Sequence, residues 1–192
     1  MEKETIELSQ KGTTIIRNGV TLHRKDNNII EIDHSIENPH IFLHSFMDFH
    51  FIELMNQINT DIYKVMEYTV LDVNSINIVL LLNHFFKDFG SPRQYLNLKI
   101  TKSQTNNLNM FNISNFSLDK TKPSNIPEEA ELILVDNICI CLEIINPHKI
   151  HVNSVISLEE NPHFKAFIDK LIGNLLCKIF IRLKRFIENI VI

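Results

Sequence analysis

The last thirty residues limit the fold more than any other part of the chain. Phe164, Phe167, Ile168, Leu171, Ile172, Leu175, Leu176, Ile179, Leu183, Phe186 and Ile190 recur at intervals of three and four. That is the period of a helix with one face in a core. Their arc covers more than half of the helical circumference, wider than one sheet face normally needs. The spacing predicts one long helix from Asn161, weakened at Gly173, that contacts two elements or the sheet and a partner.

A repeated tripeptide punctuates the rest. Asn-Pro-His occurs at Asn38-Pro39-His40, Asn146-Pro147-His148 and Asn161-Pro162-His163. The first and third copies follow Glu and precede dense apolar runs, so Asn as cap and Pro in the first turn predict two helix starts. In the middle copy Pro147 presets the dihedral of a turn, and Lys149 then leads into a strand over Ile150 to Leu158.

Between these marks the chain falls into blocks. Thr13 to Arg17 and Val20 to Arg24 flank Asn18-Gly19, the pair a type I′ hairpin turn favours, and Ile29 to Asp33 adds a third strand. From Pro39 the chain is apolar around the whole helical circumference, which predicts a buried helix, interrupted near Asn59-Thr60-Asp61. A second helix is expected over Ile76 to Phe89, ending at Gly90 and Pro92. Alternation then takes over at Leu96, Leu98 and Ile100, which is strand grammar. Met110 to Leu118 reads as a further strand and Asp119 to Glu129 as a loop. Glu131 to Ile145 reads as a strand or, through Asp136-Asn137, a hairpin.

Because strands and helices are segregated, the expected fold class is α+β rather than doubly wound. It comprises an N-terminal β-meander, a buried helical pair, an antiparallel sheet of four or five strands and a long C-terminal helix packed on the sheet. Residues 1–192 read as a single domain, with a split into 1–91 and 92–192 as the other division. Ile, Asn and Phe are abundant, Ala occurs only at 130 and 166, and Trp is absent. This bias fits AT-rich codons, such as those of a large DNA virus, a phage or an AT-rich parasite.

Charge and cysteine use bound the setting. The net charge is -4, but residues 163–192 carry six cations against two acids, so the first 162 residues hold -8. Three cysteines, 139, 141 and 177, lack the spacing of a disulfide scaffold. No secretory leader, myristoylation site or transmembrane segment is legible. The expected setting is intracellular and cytoplasmic, or host cytoplasm or virion for a viral protein.

Few residues carry chemistry. His40, His44 and Asp48, spaced i, i+4, i+8, would line one helical face and are the candidate metal ligands, with His84 and Asp88 as a second pair. The histidines at 40 and 163 would sit in first helical turns, where an anion could also bind. Cys139 and Cys141 share one side of a strand and read as core packing, while Cys177 lies near the polar side of the last helix. Lys178, Arg182 and Arg185 form a short basic edge, the candidate nucleic-acid surface. Glycine spacing excludes phosphate-loop and dinucleotide fingerprints, and a G-x-S-x-G elbow is absent. No catalytic residue or cofactor is predicted.

The resulting expectation is a non-catalytic interaction or assembly protein, using the last helix or a sheet edge to bind a protein partner or itself. Nucleic-acid binding through the basic edge is the alternative, and a metal-dependent enzyme the third.

Overall fold

A computed structural model describes residues 4–9, 12–26, 29–85, 87, 92–116, 122–158 and 167–191. Four strands open the chain: β1 (Glu4–Ser9), β2 (Gly12–Arg17), β3 (Val20–Asp26) and β4 (Ile29–Glu37). Asn18 and Gly19 both take positive φ, 51° and 71°, which a type I′ turn requires. After a 3-10 turn over Leu43–Phe46 and helix α1 (Phe49–Gln57) come β5 (Tyr63–Asp72), β6 (Ser75–Leu82), β7 (Gln94–Thr105) and β8 (Leu108–Asn115). The short β9 (Glu131–Leu132), β10 (Val135–Asn146), β11 (Lys149–Leu158) and helix α2 (Phe167–Glu188) complete it.

All eleven strands belong to one sheet, in the order β1-β2-β3-β4-β11-β10-β8-β7-β6-β5, with β9 added parallel to β7. Every other pairing is antiparallel. The expected N-terminal meander is therefore not a separate element. It joins the rest where β4 pairs with β11, from Lys149 opposite Glu37 to Ser157 opposite Ile29.

The expected sheet of four or five strands and the expected helical pair are both overturned. Ile76 to Leu82 is a strand because Ser75 to Leu81 is buried on both of its faces. Ile76, Ile78 and Leu80 enter the main core, while Val79 and Leu81 pack on the opposite side with Tyr95, Ile126 and Ala130. A strand covered on both faces loses its alternation and reads like a buried helix. Of the two residues expected to end that helix, Gly90 lies outside those described and Pro92 precedes β7.

Other local expectations also change. Asp136-Asn137 makes no hairpin: β10 runs through it with only a register irregularity between Val135 and Asn137. Asn38-Pro39-His40 starts no helix. Asp48 instead caps α1, its Oδ1 accepting from the Phe49 N–H at 2.7 Å. The copy at 161–163 lies outside the described residues. At the middle copy the chain does turn between β10 and β11, and the Asn146 side chain accepts from the His148 N–H at 2.9 Å.

Two helices cover different halves of the inner face. Phe49 of α1 packs on Phe111 of β8, ring centroids 5.9 Å apart, and Asn56 of α1 donates to the Tyr68 hydroxyl on β5. Helix α2 lies against β3 and β4 and touches α1. Its far end is tied down by Asn38, wholly buried, whose side-chain amide donates to the Ile187 carbonyl at 2.7 Å and the Ile190 carbonyl at 2.8 Å. The Ile187 carbonyl, in the last turn of the helix, also accepts from the Ile190 N–H at 3.3 Å, and Ile190 lies just beyond the helix.

Removing that tie should be costly. Asn38→Ala removes two hydrogen bonds to the helix end, so chemical denaturation should show a loss of about 1–3 kcal/mol, with faster amide exchange over 187–190. Unchanged exchange there would mean that the tie does not hold the helix end. Gly173 should behave in the opposite way, because a Cβ placed on it meets only Leu22 Cδ1 at 3.9 Å, an ordinary contact. Gly173→Ala is expected to stabilise by about 0.5–1 kcal/mol. A lower melting temperature would contradict this.

Candidate ligand site beneath the C-terminal helix

Alternation on β4 sends Ile30, Ile32, His34 and Ile36 inward and leaves Glu31, Asp33 and Ser35 on the outer side. On β11 the inward set is Ile150, Val152, Ser154 and Ile156. One position in each row is polar. His34 faces Val20 on β3 and Val152 on β11, while Ser154 faces Ile32 on β4 and Ile140 on β10. The two are diagonal neighbours, about 7–8 Å apart along the backbone, within an aliphatic floor.

Helix α2 roofs this floor. Phe180 meets the His34 ring edge-on, centroids 5.5 Å apart at 69°. Cys177, Ile179, Phe180, Ile181, Leu183 and Ile187 are buried with it. Neither ring nitrogen of His34 nor the Ser154 hydroxyl has a hydrogen-bond partner within the protein. Burial disfavours the imidazolium, and the nearby charges of Lys184 and His151 act in the same direction, so the His34 pKa falls to about 3.

The outer side of the same strands shows the contrast. Asn153 donates to Glu31 at 3.1 Å and Asp33 at 3.3 Å, Lys25 pairs with Glu31, and His151 Nε2 lies 3.0 Å from Asp33. Polar groups there find partners. Buried polar side chains normally do so as well, and an orphaned one costs about 1–3 kcal/mol. Asn18, Arg93 and Asn125 also hold a buried side-chain nitrogen without a partner, but His34 and Ser154 are the two such residues on the inward rows of β4 and β11.

The residues singled out in the sequence lie elsewhere. His40 is exposed in the turn after β4, His44 is exposed in the 3-10 turn, and Asp48 caps α1 and pairs with Lys102 at 2.8 Å. The three do not share a helical face, since no helix runs through them. Among the described residues no group of three His, Cys, Asp or Glu could hold a metal ion. His84 is half-buried and has an interaction of its own, and Asp88 lies outside the described residues.

Lys178 and Arg182 converge on Asp61, with Arg182 also donating to Asn59. Their hydrogen bonds, that of Arg182 first, lower the Asp61 pKa to about 2. Arg185 is exposed and engaged in a contact of its own. Two of the three cations in the supposed nucleic-acid stripe thus pin α2 to the segment after α1. Cys139 and Cys141, half-buried with sulfurs 3.7 Å apart, occupy the outer side of β10 rather than the core, and Cys177 is buried rather than near solvent.

The expectation of an assembly protein rested on surplus apolar arc. The fold accounts for the described part of that arc, because α1 and the sheet cover α2 from two directions. Phe186 is the large apolar side chain that the described part of α2 leaves exposed.

Comparison with solved structures agrees. The chain is similar in fold to the human StarD13 (DLC2) lipid transfer and protein localization domain, with TM-score 0.64, 10% identity, and 99% of this chain and 91% of that one covered. It is also similar to human STARD10 (TM-score 0.67, 10% identity, 96% and 72% covered). A StAR-related lipid transfer protein from Xanthomonas axonopodis aligns at TM-score 0.58 and 7% identity over 96% and 98%. At such identities the likeness is one of fold: a large antiparallel sheet gripping a C-terminal helix. These similar structures are human and bacterial, and the assignments to a viral assembly role and to an oligomer find no support in them. No family model and no curated protein sequence matches the chain. No helix among the described residues is long and apolar enough to cross a membrane.

The strand expected over Ile29 to Asp33 runs on to Glu37 and so takes in His34. The usable signal was a single polar residue on an otherwise apolar alternation, in Ile30-x-Ile32-x-His34-x-Ile36 and again in Ile150-x-Val152-x-Ser154-x-Ile156.

His34 also sets a pH dependence. Its folded pKa of about 3 lies below the ordinary histidine value of 6.5, so between these values the unfolded chain binds a proton that the folded chain refuses. Its contribution is present above about pH 6.5 and is lost as pH falls toward 3. Asp61 adds acid sensitivity only below the ordinary aspartate value of 3.8. Denaturation midpoints should therefore decline between about pH 6.5 and 4, and His34→Phe should flatten that decline. An equal slope in wild type and variant would remove His34 as the cause.

Proposed function

We propose that this protein binds a lipid-like molecule in its interior, between the sheet and α2. The observation that carries the reading is the pair of orphaned polar groups on the inward side of the sheet, His34 on β4 beneath Phe180 and Ser154 on β11. An aliphatic interior with a few placed polar groups suits a mostly apolar ligand with one polar end. The fold likeness to lipid transfer domains supports the reading. Aliphatic side chains such as Leu22, Ile32, Val152 and Ile156 would contact the body of the ligand. Binding there requires nothing of the exposed histidines at 40 and 44.

Access requires α2 to move relative to the sheet. Among the described residues, the contacts that resist this are Asn38 on Ile187 and Ile190, Lys184 on the Ser35 carbonyl, and Asp61 with Lys178 and Arg182.

Solvent extraction of the purified protein followed by mass spectrometry should release lipid near one mole per mole. Returning that lipid at 100 times its Kd should stabilise the protein by about 2.7 kcal/mol. Protein that yields no lipid, and whose melting temperature no member of a lipid panel raises, would count against the proposal.

A further inference from the structure

We infer that the molecule held beneath α2 carries an uncharged head with a hydroxyl oxygen, and that His34 and Ser154 are the groups that bind it. The inference rests on the reading of the interior as a lipid site and narrows it to one class of ligand.

Hydrogen-bonding capacity comes first. A neutral imidazole offers one N–H donor and one acceptor nitrogen, and a serine hydroxyl both donates and accepts. With its pKa lowered to about 3, His34 is in that neutral form near pH 7. A ligand hydroxyl, itself donor and acceptor, can satisfy a donor on one group and an acceptor on the other. The diagonal placement of the two residues across the β4–β11 pair brings both within reach of one small head group.

Charge then excludes the other heads. Among the residues whose burial is described, no Lys, Arg, Asp or Glu is buried. A carboxylate or phosphate taken into this interior would lose its hydration without gaining a counter-ion, which is strongly unfavourable. Lys184, the cation that acts on His34, already donates to the Ser35 carbonyl and pairs with Glu188. Arg24, on the inward alternation of β3, is half-buried and engaged in an interaction of its own. A charged head would therefore have to remain outside, leaving His34 and Ser154 unpaired.

Steric surroundings point the same way. His34 is flanked by Val20 and Val152 and lies edge-on to Phe180, while Ser154 lies between Ile32 and Ile140. A compact hydroxyl suits such walls better than a branched or hydrated ionic group.

The test uses one fluorescent body with three heads: a pyrene-labelled long-chain alcohol, its methyl ether and the corresponding carboxylate, each titrated into lipid-stripped wild-type protein near neutral pH. The alcohol should bind on the order of 10- to 100-fold more tightly than the ether, which cannot donate, and than the anion. Combining His34→Phe with Ser154→Ala should erase the difference between alcohol and ether while retaining affinity for the shared apolar body. The wild-type comparison of the three probes stands even if that variant fails to fold. Equal binding of all three heads, or preference for the carboxylate, overturns this inference and leaves lipid binding intact. Failure of every probe, together with no extractable lipid, overturns the reading of the interior as a lipid site and this inference with it.

Discussion

Burial of α2 against β3 and β4 is the interaction on which the remaining structure depends. The helix places Cys177, Ile179, Phe180, Ile181, Leu183 and Ile187 in the core. At about 1.5–3 kcal/mol for each large side chain, this burial amounts to on the order of 10 kcal/mol, as large as the net stability of a typical domain. Without the helix, the inward rows of β3, β4 and β11 would face water. The polar contacts at its edges act as positioning devices around that burial: Asn38 closes the end, and Asp61 joins the side of α2 to the segment after α1.

The same closure gives the interior its chemistry. Once roofed, the β4–β11 floor is cut off from water, so two unremarkable polar residues become the most informative atoms in the molecule. On the outer side of these strands Asn153, Glu31, Asp33 and His151 satisfy one another and explain themselves. His34 and Ser154 do not. Burial both removes their partners and holds the imidazole neutral, which links a feature of stability to a preference among ligands.

Division of the inner face between two helices explains how so large a sheet is covered by so little helix. Helix α1 serves β5 and β8, through Asn56 with Tyr68 and Phe49 with Phe111, and α2 serves β3 and β4. On the other face of β6 and β7, Val79, Leu81, Tyr95, Ile126 and Ala130 form a second, smaller core. That outer cover has a consequence for reading sequence, since it is what removed the alternation from β6.

What the sequence determined alone was local. The period of the last helix, the Asn18-Gly19 hairpin and the turn at Asn146-Pro147-His148 follow from residue spacing and from the dihedrals that Asn, Gly and Pro favour. Tertiary structure decided the rest. Whether Ile76 to Leu82 is helix or strand depends on what covers both faces, and an apolar run does not encode that. The joining of the N-terminal strands to the sheet depends on β4 pairing with β11, more than a hundred residues away. The fate of Lys178, Arg182 and Asn38 depends on partners equally distant in sequence. His34 and Ser154 were visible as polar interruptions of apolar alternations, but their importance was not. A polar residue becomes a binding group only when its neighbours in space leave it unpaired, and those neighbours come from β3, β10 and α2.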